Sequence, residues 1–196
     1  MPDHLRNDGG GLMSRCLSSA RPPDEASSAS PNSVVISRMA ADPGAVIEDV
    51  ARECDVSQRA VVEALPETMR QFAAGTHFVD AMTDIARWGD VTLIVNTDDG
   101  IMEFTGPIAE GKVMRGYYNV MAKTGFHGHI RHERCAAIAF VERPFMGRAS
   151  AFIAFLNLEG GIMFKVFVGR DENRDLKVDQ MVSFRKLADT ICTGTQ

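Results

Sequence analysis

The stretch "WGDVTLIVNTDDGIMEF", residues 88–104, decides the fold class, because the hydrophobic period changes inside it. Before it, Phe78, Met82 and Ile85 recur at helical spacing and predict a helix over residues 76–88 that ends at Gly89. After Gly89, "VTLIVNT" and "IMEF" read as two strands joined by the turn "DDG", a hairpin. More strands follow at short intervals: "KVMRGYYNVM", "FHGHIRH", "CAAIAFVE", "SAFIAFL" and "IMFKVFV". Most of the turns between them leave no room for a crossover helix, so the sheet is expected to be largely antiparallel. "SAFIAFL" is apolar on both faces and is expected to lie centrally, covered on both sides.

Working outward, Val46, Ile47, Val50, Ala51 and Cys54 predict one short helix, and Val61, Val62 and Leu65 predict a second that stops at Pro66. Ser57 is placed to cap the second helix, with Val56 and Val61 stapling across it. A last helix is predicted over residues 176–191 from the stripe Val178, Met181, Val182, Phe184, Leu187 and Ala188. The class is α+β: N-terminal short helices, a largely antiparallel β-sheet and a C-terminal helix. Residues 1–40 contain "NDGGG" and "SSARPPDEASSASPNS", which cannot bury enough apolar surface to offset ordering, so they are expected to form a disordered tail. Removing residues 1–38 is accordingly expected to leave stability unchanged. Residues 41–196 form the domain.

The 196 residues are 45% hydrophobic and 24% charged, enough for one core of ordinary size. A net charge of −5 argues against a protein that coats nucleic acid or an anionic membrane. Cys16, Cys54, Cys135 and Cys192 are scattered without zinc-site spacing and read as reduced thiols. No apolar run is long enough to span a bilayer, so a cytoplasmic location is expected.

Three motifs have plain readings. "IEDVARECDVSQRAVVEALP" has the outline of a helix-turn-helix, but its exposed Glu48, Asp49, Glu53 and Glu63 would repel phosphate, which favours packing over DNA reading. The methionines Met82, Met163 and Met181 sit in apolar periodicity and read as core. In "VGRDENR", Arg170 and Arg174 could hold an anion, but pairing with Asp171 and Glu172 and capping of the last helix is the favoured reading.

"MRGYYNVMAKTGFHGHIRHE", residues 114–133, holds both tyrosines of the chain and three of its five histidines. Read as one strand, it puts Arg115, Tyr117 and Asn119 on one face and Met114, Tyr118 and Val120 on the other, the second face being core. His127, His129 and Arg131 share a face of the next strand. Whether that face is also the face of Tyr117 depends on register, and a one-residue slip reverses it.

The succession "ALP", "WGDVTLIV", "MEFTGPIAEGKVMRGYYN", "GHI", "IAFVERPFMGRASAFIAFLN" and "MFKVFVGRDENRDL" resembles the cytosolic heme-carrier family of the HutX/ChuX type over about three quarters of the chain. "RGYYN", "RPFMG" and "FVGRDENR" in that order are its most specific pieces. The resemblance implies a bacterial heme-utilisation protein that receives ferric heme and delivers it to a downstream heme-accepting or heme-degrading protein. The implied fold is a unit similar to half of the internally duplicated HemS/ChuS proteins, paired as a homodimer. It implies Tyr117 as the leading axial ligand to heme iron and His129 as the alternative. Arg115, Lys123 and Arg131, with Lys112, are propionate candidates, and Met102, Phe104 and Met121 are porphyrin contacts. Some relatives have histidine where this chain has Asn96, so a bis-histidine site is incomplete here. A heme-degrading oxidoreductase and a helix-turn-helix regulator are the alternative functions.

Overall fold

The structure, a computed structural model, describes residues 31–192. In chain order its elements are α1 (Pro31–Ala41), α2 (Ile47–Cys54), α3 (Gln58–Glu63), β1 (Arg70–Ala74), α4 (Phe78–Ile85), β2 (Asp90–Thr97), β3 (Gly100–Pro107), β4 (Gly111–Met114), β5 (Tyr117–Val120), β6 (Gly128–Ile130), β7 (Cys135–Phe145), β8 (Arg148–Asn157), β9 (Ile162–Phe167) and α5 (Val178–Cys192). Six strands form one sheet in the order β1-β7-β8-β9-β2-β3, and β4-β5-β6 form a second, smaller one. All pairings within both sheets are antiparallel. The α+β expectation holds.

The alternation along β8 organises the interior. Ala151, Ile153 and Phe155 point to one face of the large sheet, where they pack with α4, α5 and the inner side of the small sheet. Phe152, Ala154 and Leu156 point to the other, where α1, α2 and α3 cover them. A strand with two buried faces reads as a continuous apolar run, as this one does. Gln180 of α5, 1% exposed, closes the first layer. Its Oε1 accepts from the Gly169 amide at 2.7 Å, and its Nε2 donates to the carbonyls of Trp88 and Asp90 at 2.8 and 2.9 Å.

The N-terminal helices behave as packing elements. Ser57 caps α3, its Oγ accepting from the Ala60 amide at 3.2 Å as its position predicts. Gln58, at the start of the supposed recognition helix, accepts from the Ile162 amide, and the Arg59 amide donates to the Gly160 carbonyl. Arg52 pairs with Asp49 and Arg59 with Glu63. In "VGRDENR", Arg170 donates to the carbonyls of Arg174 and Ala149, while Asp171 accepts from the amides of Asn173 and Asp175. That loop is closed on itself by polar contacts.

Two corrections follow. Strand β1 was not read from the sequence: "RQFAA" is five residues long with only Ala73 buried, too short for alternation to register. The boundary expected at residue 40 moves, because α1 sets Val35 and Met39 into the core at 1% and 0% exposure. Residues 31–40 therefore belong to the domain, and the expectation that 1–38 can be removed without cost is replaced. The rest of the expected tail, residues 1–30, lies outside the described residues. No helix among the described residues is long and apolar enough to cross a membrane.

Met39→Ala should destabilise the domain by about 2–4 kcal/mol, the usual range for emptying a buried methionine site. Urea denaturation measures it. A chain starting at residue 42 should likewise unfold at lower urea concentration than one starting at residue 31.

Candidate functional site

The segment 111–120 is a hairpin and not one strand. Strands β4 and β5 pair with Met114 opposite Tyr117, leaving Arg115 and Gly116 as a two-residue turn. Both have positive φ, 53° and 77°, as a turn matching the strand twist requires. Arg115 therefore does not share a strand face with Tyr117, as alternation along one strand predicts, but stands at the hairpin tip.

The next pairing settles the register. Asn119 lies opposite His129, with Tyr118 opposite Ile130 and Val120 opposite Gly128, across a seven-residue connection, 121–127. His129 thus shares the face of Tyr117 and Asn119, and Tyr118, Val120 and Ile130 turn into the core.

The two tyrosines divide as alternation predicts. Tyr118 is fully buried, edge-on to Phe78, and its hydroxyl accepts from the Gly111 amide at 2.9 Å. Burial raises its phenol above the ordinary value, with that hydrogen bond opposing the shift. A Cβ at Gly111 would lie 2.5 Å from the Tyr118 ring, so only glycine permits the approach. Tyr117 is half-buried on the outer face. Its ring stands 6.2 Å from that of His129, edge-on, and the Arg131 guanidinium carbon is 5.7 Å from its centre.

Asn119 holds this face together. Buried to 9% exposure, its Nδ2 donates to the carbonyls of Lys112, Met114 and Tyr117 at 3.1, 3.0 and 2.8 Å. That orientation leaves Oδ1 for His129, whose Nδ1 is 2.5 Å away. A carbonyl oxygen only accepts, so His129 Nδ1 carries the hydrogen, and in the neutral ring Nε2 keeps its lone pair. The sequence reading gave Asn119 a face but no role. The available signal was an amide in mid-strand, where asparagine is disfavoured unless it is bonded.

Met114, Arg115, Tyr117, Asn119 and His129 line one cleft of about 710 Å³, within the range of small-molecule sites. Lys123 is exposed in the 121–127 connection and is not among the lining residues, nor are Met102, Phe104 and Met121. Phe104 packs instead on Phe126, at 5.8 Å between ring centres. Asn96 borders a different cleft of about 770 Å³ with Glu48, Asp55, Asp98 and Glu159, which contains no aromatic or imidazole ring.

Asn119→Ala should cost about 1–3 kcal/mol by stranding buried carbonyls, and should release His129 into a mixture of tautomers. Long-range proton–nitrogen NMR of the histidines checks the second outcome, with wild-type His129 expected as the Nδ1-protonated form.

Comparison with known proteins bears on what occupies such a cleft. Residues 71–187 match the family described as haem utilisation ChuX/HutX. The intracellular heme transport protein HutX of Vibrio cholerae is 37% identical over 139 residues, which is 70% of this chain and 72% of that protein. The solved structure of the heme binding protein ChuX is 35% identical, with a TM-score of 0.73 over 80% of this chain and 97% of that one. The E. coli heme oxygenase ChuS shares the fold alone, at 12% identity and a TM-score of 0.62, over 82% of this chain and 48% of that longer one. The Vibrio cholerae relative is thus named for heme transport and ChuX for heme binding, and the catalytic name belongs to a fold-level likeness. By its sequence match and its fold, this chain belongs to the ChuX/HutX haem-utilisation family.

Proposed function

We propose that this chain binds ferric heme in the Tyr117 cleft and carries it inside the cell to a downstream acceptor. The observation that carries this reading is the juxtaposition of one half-buried phenol and one orientated imidazole on a single sheet face. Among the described residues no three His, Cys, Asp or Glu side chains converge as a bare metal ion would need. Iron in a porphyrin already has four equatorial nitrogens and asks the protein for one or two axial donors. A phenol and an imidazole suit that demand.

Tyr117 is the axial ligand in this reading. A phenol titrates at about pH 10 in water, yet ferric iron displaces its proton and the anionic oxygen prefers Fe(III) to Fe(II). His129 Nε2, left with a lone pair by the bond from Nδ1 to Asn119, is the base on the same face that would take that proton. Arg131, against the Tyr117 ring, offsets the resulting negative charge. Because Tyr117 and His129 project from the same face, His129 would support the ligand rather than oppose it. Arg115, which lines the cleft, and Arg131, against the Tyr117 ring, would be the cations to meet a propionate; Lys112 and Lys123 do not line the cleft.

A carrier also fits the chemistry better than a heme-degrading enzyme. Dioxygen activation needs Fe(II), which a phenolate ligand disfavours. Reduction would weaken the iron–oxygen bond and so favour transfer. The intracellular role follows the name of the Vibrio cholerae relative. Pairing as a homodimer is supported by the free edge at β3, where Ile101 and Met102 are 63% and 58% exposed.

Hemin titration should saturate near one heme per chain, and light scattering should give a dimer with and without hemin. A monomer with no saturable Soret change would overturn the reading.

Tyr117→Phe should abolish the ferric phenolate band and weaken hemin binding, whereas Tyr118→Phe should keep the band and cost about 0.5–1.5 kcal/mol of stability. Visible spectra before and after dithionite measure both. Retention of the band in Tyr117→Phe with its loss in Tyr118→Phe would put Tyr118 on the iron; an unchanged spectrum in both variants would transfer the iron to another residue, His129 first.

A further inference from the structure

On the opposite side of the large sheet, under α2, lies a second cluster of buried charge that the heme reading does not use. Glu48 of α2 accepts from Lys165 Nζ of β9 at 2.6 Å, and both side chains are at most 10% exposed. Arg143 of β7, the first residue of "RPFMG", is 8% exposed. Its Nη1 donates to the carbonyls of Pro43 and Ala45, each at 2.7 Å. Its Nε is shielded from solvent and has no acceptor among the described residues. The cluster therefore holds two cations and one carboxylate, a formal excess of one positive charge.

The surroundings are largely apolar, and the aromatic faces among them compensate that excess only weakly. Phe145 and Phe152 flank the Arg143 guanidinium, each ring centre 5.7 Å from its central carbon, and Phe167 lies 6.0 Å from Lys165 Nζ. Asp42, the other carboxylate that acts on Arg143, is exposed and already accepts from the Gly44 amide, so solvent screens it. Burial lowers the Arg143 pKa from its ordinary value, with Glu48 and Asp42 opposing the shift. The N-terminus of α2 adds positive potential at the same place, because its N-cap is Val46 and no side chain caps it; of the two acids in its first turn, Glu48 is the carboxylate of the cluster and Asp49 is paired with Arg52. Val46, Glu48, Arg143, Ser150 and Lys165 with the three phenylalanines line a cavity of about 40 Å³. One water needs about 10–15 Å³ by such a measure, so a halide fits.

We propose that this cavity binds one small monovalent anion, of chloride or bromide size, through Arg143 Nε beside the N-terminus of α2. A single negative charge neutralises the cluster and gives the shielded N–H its acceptor. The anion then acts as a bridge between the α2 layer and the β7–β8–β9 part of the sheet, independently of the Tyr117 cleft.

Two measurements on the full chain test this. Crystals grown without halide and soaked in bromide should show an anomalous peak within hydrogen-bond distance of Arg143 Nε. In solution, replacing gluconate by chloride at constant ionic strength should raise the melting temperature saturably, by about 3–6 °C at tenfold above half-saturation. Arg143→Met should abolish that rise. Should Arg143→Met fail to fold, Ser150→Asp supplies a carboxylate inside the cavity and should make melting indifferent to chloride. Superimposable melts of the wild type in chloride and gluconate would overturn the proposal, leaving water as the partner of Nε. A bromide peak without any effect on melting would also overturn it, as binding at crystal concentration only.

Discussion

Strand β8 has no solvent side, and the rest of the molecule is arranged to keep it that way. Its odd-numbered residues 151–155 need one hydrophobic layer and its even-numbered residues 152–156 need another, so elements must cover both faces of the sheet. Helices α1, α2 and α3 supply one cover. The other face is too broad for α4 and α5 alone, and Tyr118, Val120 and Ile130 complete it. The small sheet is thus first of all a lid on the core. Its outer face, with Tyr117, Asn119 and His129, exists because its inner face is needed.

This economy explains why the two tyrosines differ so completely while being neighbours in sequence. Tyr118 is held by packing, by its bond to the Gly111 amide and by the absence of a side chain at Gly111. Fixing Tyr118 fixes the plane of β5, and the plane of β5 aims Tyr117 outward. Asn119 converts that aim into chemistry by tying the hairpin carbonyls and selecting which nitrogen of His129 carries hydrogen. A binding surface built this way inherits its rigidity from the core and needs little of its own.

Much of the fold was legible because it rests on period. The change after Gly89, the two-sided apolar run of β8, the Ser57 cap and the split between Tyr117 and Tyr118 all follow from spacing alone. What escaped depends on partners distant in sequence. Strand β1 is defined by β7 and not by its own residues, and α1 is ordered only because Val35 and Met39 find the sheet. The turn at Arg115 was hidden because a non-glycine residue with positive φ looks, in sequence, like any other strand residue. The register of β6 was left open by "AKTG", and the structure resolves it with a longer connection. Asn119 shares its sequence neighbourhood with the proposed ligand, but its function is visible only once three carbonyls and an imidazole surround it.

The hairpin 111–120 and the connection 121–127 differ in slack. The first joins two strands through two residues, both with positive φ, over a glycine that a tyrosine ring covers. The second spans seven residues between strands paired over three positions, with most of its side chains exposed. An inserted or deleted codon in the hairpin would exchange Tyr117 and Tyr118 between cleft and core, whereas one in the connection can be absorbed without moving either. The loop before His129 is therefore the place where the chain can change length, and the spacing from Gly111 to Asn119 is geometrically stricter than the spacing from Tyr117 to His129.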